Sequence, residues 1–150
     1  MRLKKWFSLI LFCFVNHVYA NVNTPCGYWI QIDDATQKPH SLIKIYADKK
    51  DQTLEGKVIK GYSLNGKMPE KYCSHCKGAL HNKQIEGMRI MWGFHKSDAQ
   101  TWTDGKILDP NNGKIYSCQL TLTDHDKRLK VRGYIGFSLL GRTQEWIRQS

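Results

Sequence analysis

A chain of 150 residues with 41% apolar side chains can bury one core but is too short for two ordinary domains. Its 23 Lys and Arg against 13 Asp and Glu give a net charge of +10, yet no run of five like charges and no alternation of Arg with aromatics marks a nucleic-acid groove. Gly-x-Ser-x-Gly, a phosphate-cradling glycine loop and His-Glu-x-x-His are all missing, so no enzyme signature is found and no cofactor is expected.

The first segment reads as a secretory signal over residues 1–20. Arg2, Lys4 and Lys5 form a basic start, an apolar run follows from Trp6 to Val15, and Val18-Tyr19-Ala20 precedes a polar Asn21. The apolar run is too short to cross a bilayer comfortably, and no later stretch approaches the roughly 20 apolar residues a membrane helix needs. The expected mature protein is therefore one domain over residues 21–150, exported to the periplasm or beyond and not membrane-spanning. Removal of the three basic residues lowers the charge from +10 to +7. That charge suits anionic envelope components rather than nucleic acid, or is simply a well-solvated surface. Cys13 leaves with the signal, and Cys26, Cys73, Cys76 and Cys118 remain; an even number in an exported chain points to disulfides, with three possible pairings.

Beyond the signal, short β-rich runs alternate with turn residues. Strands are expected at Gly27–Ile32, Leu42–Ala47, Thr53–Tyr62, Met88–Phe94, Trp102–Leu108, Lys114–Thr123, Leu129–Ile135 and Gln144–Arg148. Alternation is clearest where Tyr116, Cys118, Leu120 and Leu122 share a face, and Met88, Ile90, Trp92 and Phe94 read as a second such set. Short polar connections suit hairpins, and closing the strands as an all-β, eight-stranded up-and-down antiparallel barrel removes exposed edges. A two-sheet sandwich is the competing architecture. One connection breaks the meander: Ser63 to Gly87, between strands 3 and 4, is too long for a hairpin. In an up-and-down barrel it shares a rim with the first, fifth and seventh connections, where a ligand would enter.

Gly27-Tyr28-Trp29 resembles the Gly-x-Trp of the first lipocalin strand. There the Trp closes the barrel floor under an Arg from near the chain end, a place that the topology gives here to Arg148. Further motifs follow: Ile43-Lys44-Ile45-Tyr46, Leu54-Glu55-Gly56-Lys57-Val58, Cys73-x-x-Cys76-Lys77-Gly78, Asp104 to Pro110 with Gly113-Lys114-Ile115-Tyr116, and Leu129 to Gly136 running on through Leu140 to Trp146. In this order and spacing the mature chain resembles the exported bacterial family called domain of unknown function 2147. The resemblance implies a lipocalin-like barrel in the envelope and supplies no activity.

Cys73-Ser74-His75-Cys76 is the sharpest chemical candidate. In an oxidising compartment it reads first as a structural disulfide, either local or reaching Cys118. Redox chemistry would need a thiol activated by Lys71, His75 or Lys77, and no thioredoxin-like pattern surrounds it. A metal held by Cys73, His75, Cys76 and His81 is a further alternative to the disulfide, and Lys77 stands where haem attachment would require His. Asp33-Asp34, Asp104 and Asp109 read as turn carboxylates. The sequence thus favours a barrel that binds a small apolar or amphipathic molecule, with Trp92, Phe94 and Tyr116 as lining. A ligand-free envelope interaction or stress protein using the basic surface comes second, and thiol redox or metal binding third.

Overall fold

The computed structural model describes residues 23–137 and 139–150. The expected signal, residues 1–20, lies outside them. Eight strands form in chain order: β1 (Gly27–Ile32), β2 (Pro39–Ala47), β3 (Leu54–Gly61), β4 (Arg89–Lys96), β5 (Thr101–Asp109), β6 (Lys114–Thr123), β7 (Arg128–Tyr134) and β8 (Gly141–Arg148). Each pairs antiparallel with the next, and β8 returns to β1 through Trp29–Arg148, Ile30–Ile147 and Gln31–Trp146, closing the barrel. The up-and-down barrel expected from the sequence is the fold, and the sandwich is excluded.

Strand ends differ where patterning is silent. Pro39, Gly141, Arg142 and Thr143 carry no apolar alternation, yet Gly141, Arg142 and Thr143 pair with Tyr134, Gly133 and Arg132 and lengthen β8. Pro39 opens β2, a strand position where its missing N–H costs no ladder bond.

Alternation decides which side chains enter. Cys118, Leu120 and Leu122 of β6 are fully buried, and Trp29, Ile43, Ile45, Leu129 and Trp146 join them in one core. β4 departs from its expected phase. Its register against β3 slips twice, with Lys57 facing Arg89, Gly56 facing Met91 and Leu54 facing Phe94. These bulges turn Ile90, Met91 and Phe94 inward and Trp92 outward, because an extra residue in a ladder reverses every later side chain. Trp92 pairs with Lys106 and lies under Arg89, whose Cζ is 5.8 Å from the ring centroid.

The long connection, residues 62–88, is held by its own backbone. Cys73 N–H donates to Lys83 O, Asn82 N–H to Cys73 O and Ile85 N–H to Lys71 O, each at 2.9 Å, around one 3-10 turn at Gly78–Leu80. Cys73 and Cys76 form a disulfide, and both are buried. The segment sits on the β5–β6 turn: Cys73 Sγ lies 3.4 Å from Pro110 O. A Cβ at Gly113 would fall 1.8 Å from His75 O, and its φ of +68 is also one that glycine adopts freely.

Candidate functional site: a barrel closed at one end and hollow at the other

Alternate connections emerge at opposite ends, so the barrel has two unlike rims. One carries residues 48–53, 97–100 and 124–127 together with residues 23–26 and 149–150; the other carries residues 33–38, 62–88, 110–113 and 135–140.

The first end is filled. Leu54, Phe94, Trp102, Leu122 and Leu129 occupy it, and Phe94 lies so close over Gly105 that a Cβ there would meet the ring at 2.2 Å. Arg148 seals it. Its Cζ stands 4.3 Å from the Trp29 ring centroid, while Nε donates to Asp126 O (2.7 Å), Nη1 to Cys26 O (2.9 Å) and Nη2 to Thr24 O (2.8 Å). The indole N–H of Trp29 donates to Pro25 O at 2.7 Å. Desolvation lowers the Arg148 pKa, against the pull of Asp126. Gly27 belongs to the same device: its φ is +133, and a Cβ would approach Arg148 Nη1 to 2.9 Å. Local geometry thus gives a reason for Gly-x-Trp at the first strand.

The other end holds a cavity of about 1250 Å³. Its walls differ in chemistry. In a ring of eight, β1 stands opposite β5, and the β4–β5 side offers Ile90 and Ile107, with Tyr116 beside them on β6. The β8–β1–β2 side offers a chain of amides and hydroxyls. Ser41 Oγ donates to Gln31 Oε1 (2.6 Å), Gln31 Nε2 donates to Gln144 Oε1 (3.0 Å), and the Trp146 indole N–H reaches the same oxygen at 3.4 Å. A His40 ring nitrogen lies 3.4 Å from Gln31 Oε1. Around the mouth stand Asp33, Glu70, Glu86 and Asp109 with Lys71 and Arg142. The Thr36 hydroxyl and backbone N–H both donate to Asp33 and hold its pKa below the usual carboxylate value.

Of the residues expected on the lining, Tyr116 is on it. Phe94 is packed in the filled half, and Trp92 is on the outer wall because of the β4 bulges. Strand-by-strand reading missed Gln31, Ser41 and Gln144. Stepping by two from Trp29 reaches Gln31, from Ile43 reaches Ser41 and from Trp146 reaches Gln144, so a polar residue on each core-facing row was the available signal.

The four described cysteines fall into one pair and two thiols. Cys73 pairs with Cys76, while Cys118 and Cys26 are free. Cys118 faces inward between Gly105 and Gly133, so the long-range bridge to it does not form. Burial pushes its thiol up to about 12. His81 Nδ1 lies 3.0 Å from Cys76 O, and among the described residues no group of three His, Cys, Asp or Glu side chains is arranged to hold a metal ion. Both sulfurs of the suggested Cys73, His75, Cys76 and His81 set are joined to each other, which removes the thiolate ligands. Among the described residues no helix is long and apolar enough to cross a membrane.

Comparison with known proteins agrees with the geometry. The family model described as "Uncharacterized protein conserved in bacteria (DUF2147)" matches residues 27–148. The solved structure of protein HP1028 from Helicobacter pylori, described as belonging to the lipocalin family, is similar with a TM-score of 0.69 at 16% identity. The match covers 83% of this chain and 82% of that one, and it speaks to the fold. No curated protein matches the chain.

Proposed function

The chain belongs to the DUF2147 family, and we propose that its barrel binds a small amphipathic molecule in the cavity at the hollow end. The carrying observation is the division of a cavity of about 1250 Å³ into an apolar side at Ile90 and Ile107 and a hydrogen-bonding side at Gln31, Ser41 and Gln144. A hydrocarbon or ring system loses water against the first, and a polar end exchanges hydrogen bonds with the second; such pockets are apolar with a few placed polar groups. Two amide groups supply donors and acceptors alike, which suits an uncharged polar end such as a hydroxyl, ester or amide. The reading places the protein outside the cytoplasm. The basic and apolar layout of residues 1–20 supports export, and so does a disulfide at Cys73–Cys76, since such bonds persist in oxidising compartments.

Native mass spectrometry of protein purified from its own envelope tests the proposal. A retained small molecule that is lost on replacing Gln144 by Leu is the expected result. A clean apo mass, together with no uptake of N-phenylnaphthylamine by the purified barrel, would overturn it.

A further inference from the structure

Four large apolar side chains lie exposed in the β7–β8 connection: Ile135 at 61%, Phe137 at 81%, Leu139 at 89% and Leu140 at 78%. Among the other described residues, Met68 at 74%, Tyr72 and Leu80 are exposed in the long connection on the same rim, and Tyr28, Ile115 and Ile147 are scattered over the strands. The connection itself carries no charge. Isolated apolar side chains on a surface need no explanation, but a cluster this exposed marks a contact with something that is not water. Ile135, Leu139 and Leu140 also line the cavity, and Met68 does so from the facing connection. The apolar tip is therefore continuous with the cavity wall.

We propose that this tip docks the hollow end of the barrel on a phospholipid bilayer, with Phe137 inserted at the headgroup–acyl boundary and the cavity mouth facing the lipid. A short uncharged protrusion suits insertion, and apolar faces at such interfaces sink about 5–10 Å. The net charge of the whole chain, +10, or +7 over residues 21–150, fits anionic phospholipid, while the mouth itself carries charges of both signs. Arg142 lies at the base of the tip, where it pairs with Asp34. Across the mouth, the long connection carries Lys67, Lys71, Lys77 and Lys83 with Glu70 and Glu86. Long cationic side chains can lie along the apolar boundary with their charges at the headgroups. The inference rests on the proposed ligand binding only for its purpose, since an amphipathic ligand dissolved in a bilayer would reach the cavity without crossing water. The docking itself stands apart from that reading.

The test uses the full mature chain and vesicles of phosphatidylethanolamine and phosphatidylglycerol. Wild type is expected to sediment with the vesicles, Phe137→Ser to partition ~10-fold more weakly, and Phe137→Asp to stay in solution. Phe137→Trp is expected to keep binding and to shift its added emission to the blue when vesicles are present. Phe137 is absent from the cavity lining, so uptake of N-phenylnaphthylamine without vesicles should be the same in all four proteins. Undiminished dye uptake with no sedimentation of wild type would overturn the docking and leave the cavity reading standing. Equal sedimentation of wild type and Phe137→Asp would overturn it as well. So would a self-association that Phe137→Ser abolishes in the absence of any vesicle binding, because the tip would then join two copies of the chain.

Discussion

Arg148 donates to three carbonyl oxygens, two from the segment before β1 and one from the β6–β7 turn, while its charge covers Trp29. No other side chain type reproduces that fork and keeps the cation. Arg148→Met should cost about 2–4 kcal/mol through orphaned carbonyls and a lost cation over the ring, with Arg148→Lys in between. Urea unfolding with an unchanged denaturant slope would read both. Cys118 provides a second prediction at this scale. The reactive form of a thiol is the thiolate, so in native protein at about pH 8 iodoacetamide should modify Cys26 and spare Cys118 until denaturant is added. Its ionisation also couples to folding. The unfolded thiol titrates near 8.5 and the folded one only at about 12, so the stability this site contributes is complete below the first value and is lost as pH rises through the second. A Cys118→Ala variant should show a flatter fall of the unfolding midpoint at high pH.

At the scale of elements, the long connection carries its own cross-link, and its Cys73 and Cys76 pack against the barrel's core. Closing so short a ring as Cys73–Cys76 stabilises by about 2 kcal/mol in the chain-entropy account, and backbone bonds between residues 71 and 85 add local order. Replacing both cysteines by Ser is expected to speed proteolysis within residues 62–88 while strand circular dichroism and the barrel's own unfolding stay close to wild type. Gly113→Ala should loosen the same segment from the other side, since its Cβ collides with His75 O. Limited proteolysis of the two variants side by side checks this; cleavage confined to the β5–β6 turn would show the seat to be independent of the loop. The strands themselves were legible in the sequence because short β-rich runs are separated by turn residues and β6 alternates cleanly. Trp92 was misplaced because a bulge leaves no mark in apolar periodicity: Met91 and Gly93 look like ordinary neighbours, and only the register against β3 shows the extra residue.

For the whole molecule, two differently made ends share one barrel, and sequence reveals them unequally. Trp29 and Arg148 advertised the filled end, because an aromatic at a glycine-led first strand and a cation at the last are specific in kind and position. The cavity left little trace. Whether Ile90, Ile107 and Tyr116 meet each other or face a void depends on how far apart the strands hold them, which periodicity does not encode. Gly133 offers a way to close that space. A side chain built there would meet Tyr116 at 3.7 Å and Ile107 at 3.9 Å, ordinary contact distances, so Gly133→Val should fold and fill part of the cavity. Dye uptake is expected to fall several-fold with a melting temperature within a few degrees of wild type. Loss of the fold instead would show that this part of the barrel is already packed.

The seam that joins Trp29, Ile30 and Gln31 to Arg148, Ile147 and Trp146 also sets the order in which the chain becomes a protein. Every other ladder joins neighbours in sequence and can form as soon as its hairpin exists, whereas this one spans nearly the whole domain and carries the heaviest loop-closure entropy. Until the last residues arrive, β1 has one open edge, and the segment from Thr24 to Cys26 waits for the guanidinium that will hold it. A chain shortened by its final six residues therefore lacks more than a strand end: it lacks the event that turns a curved sheet into a vessel.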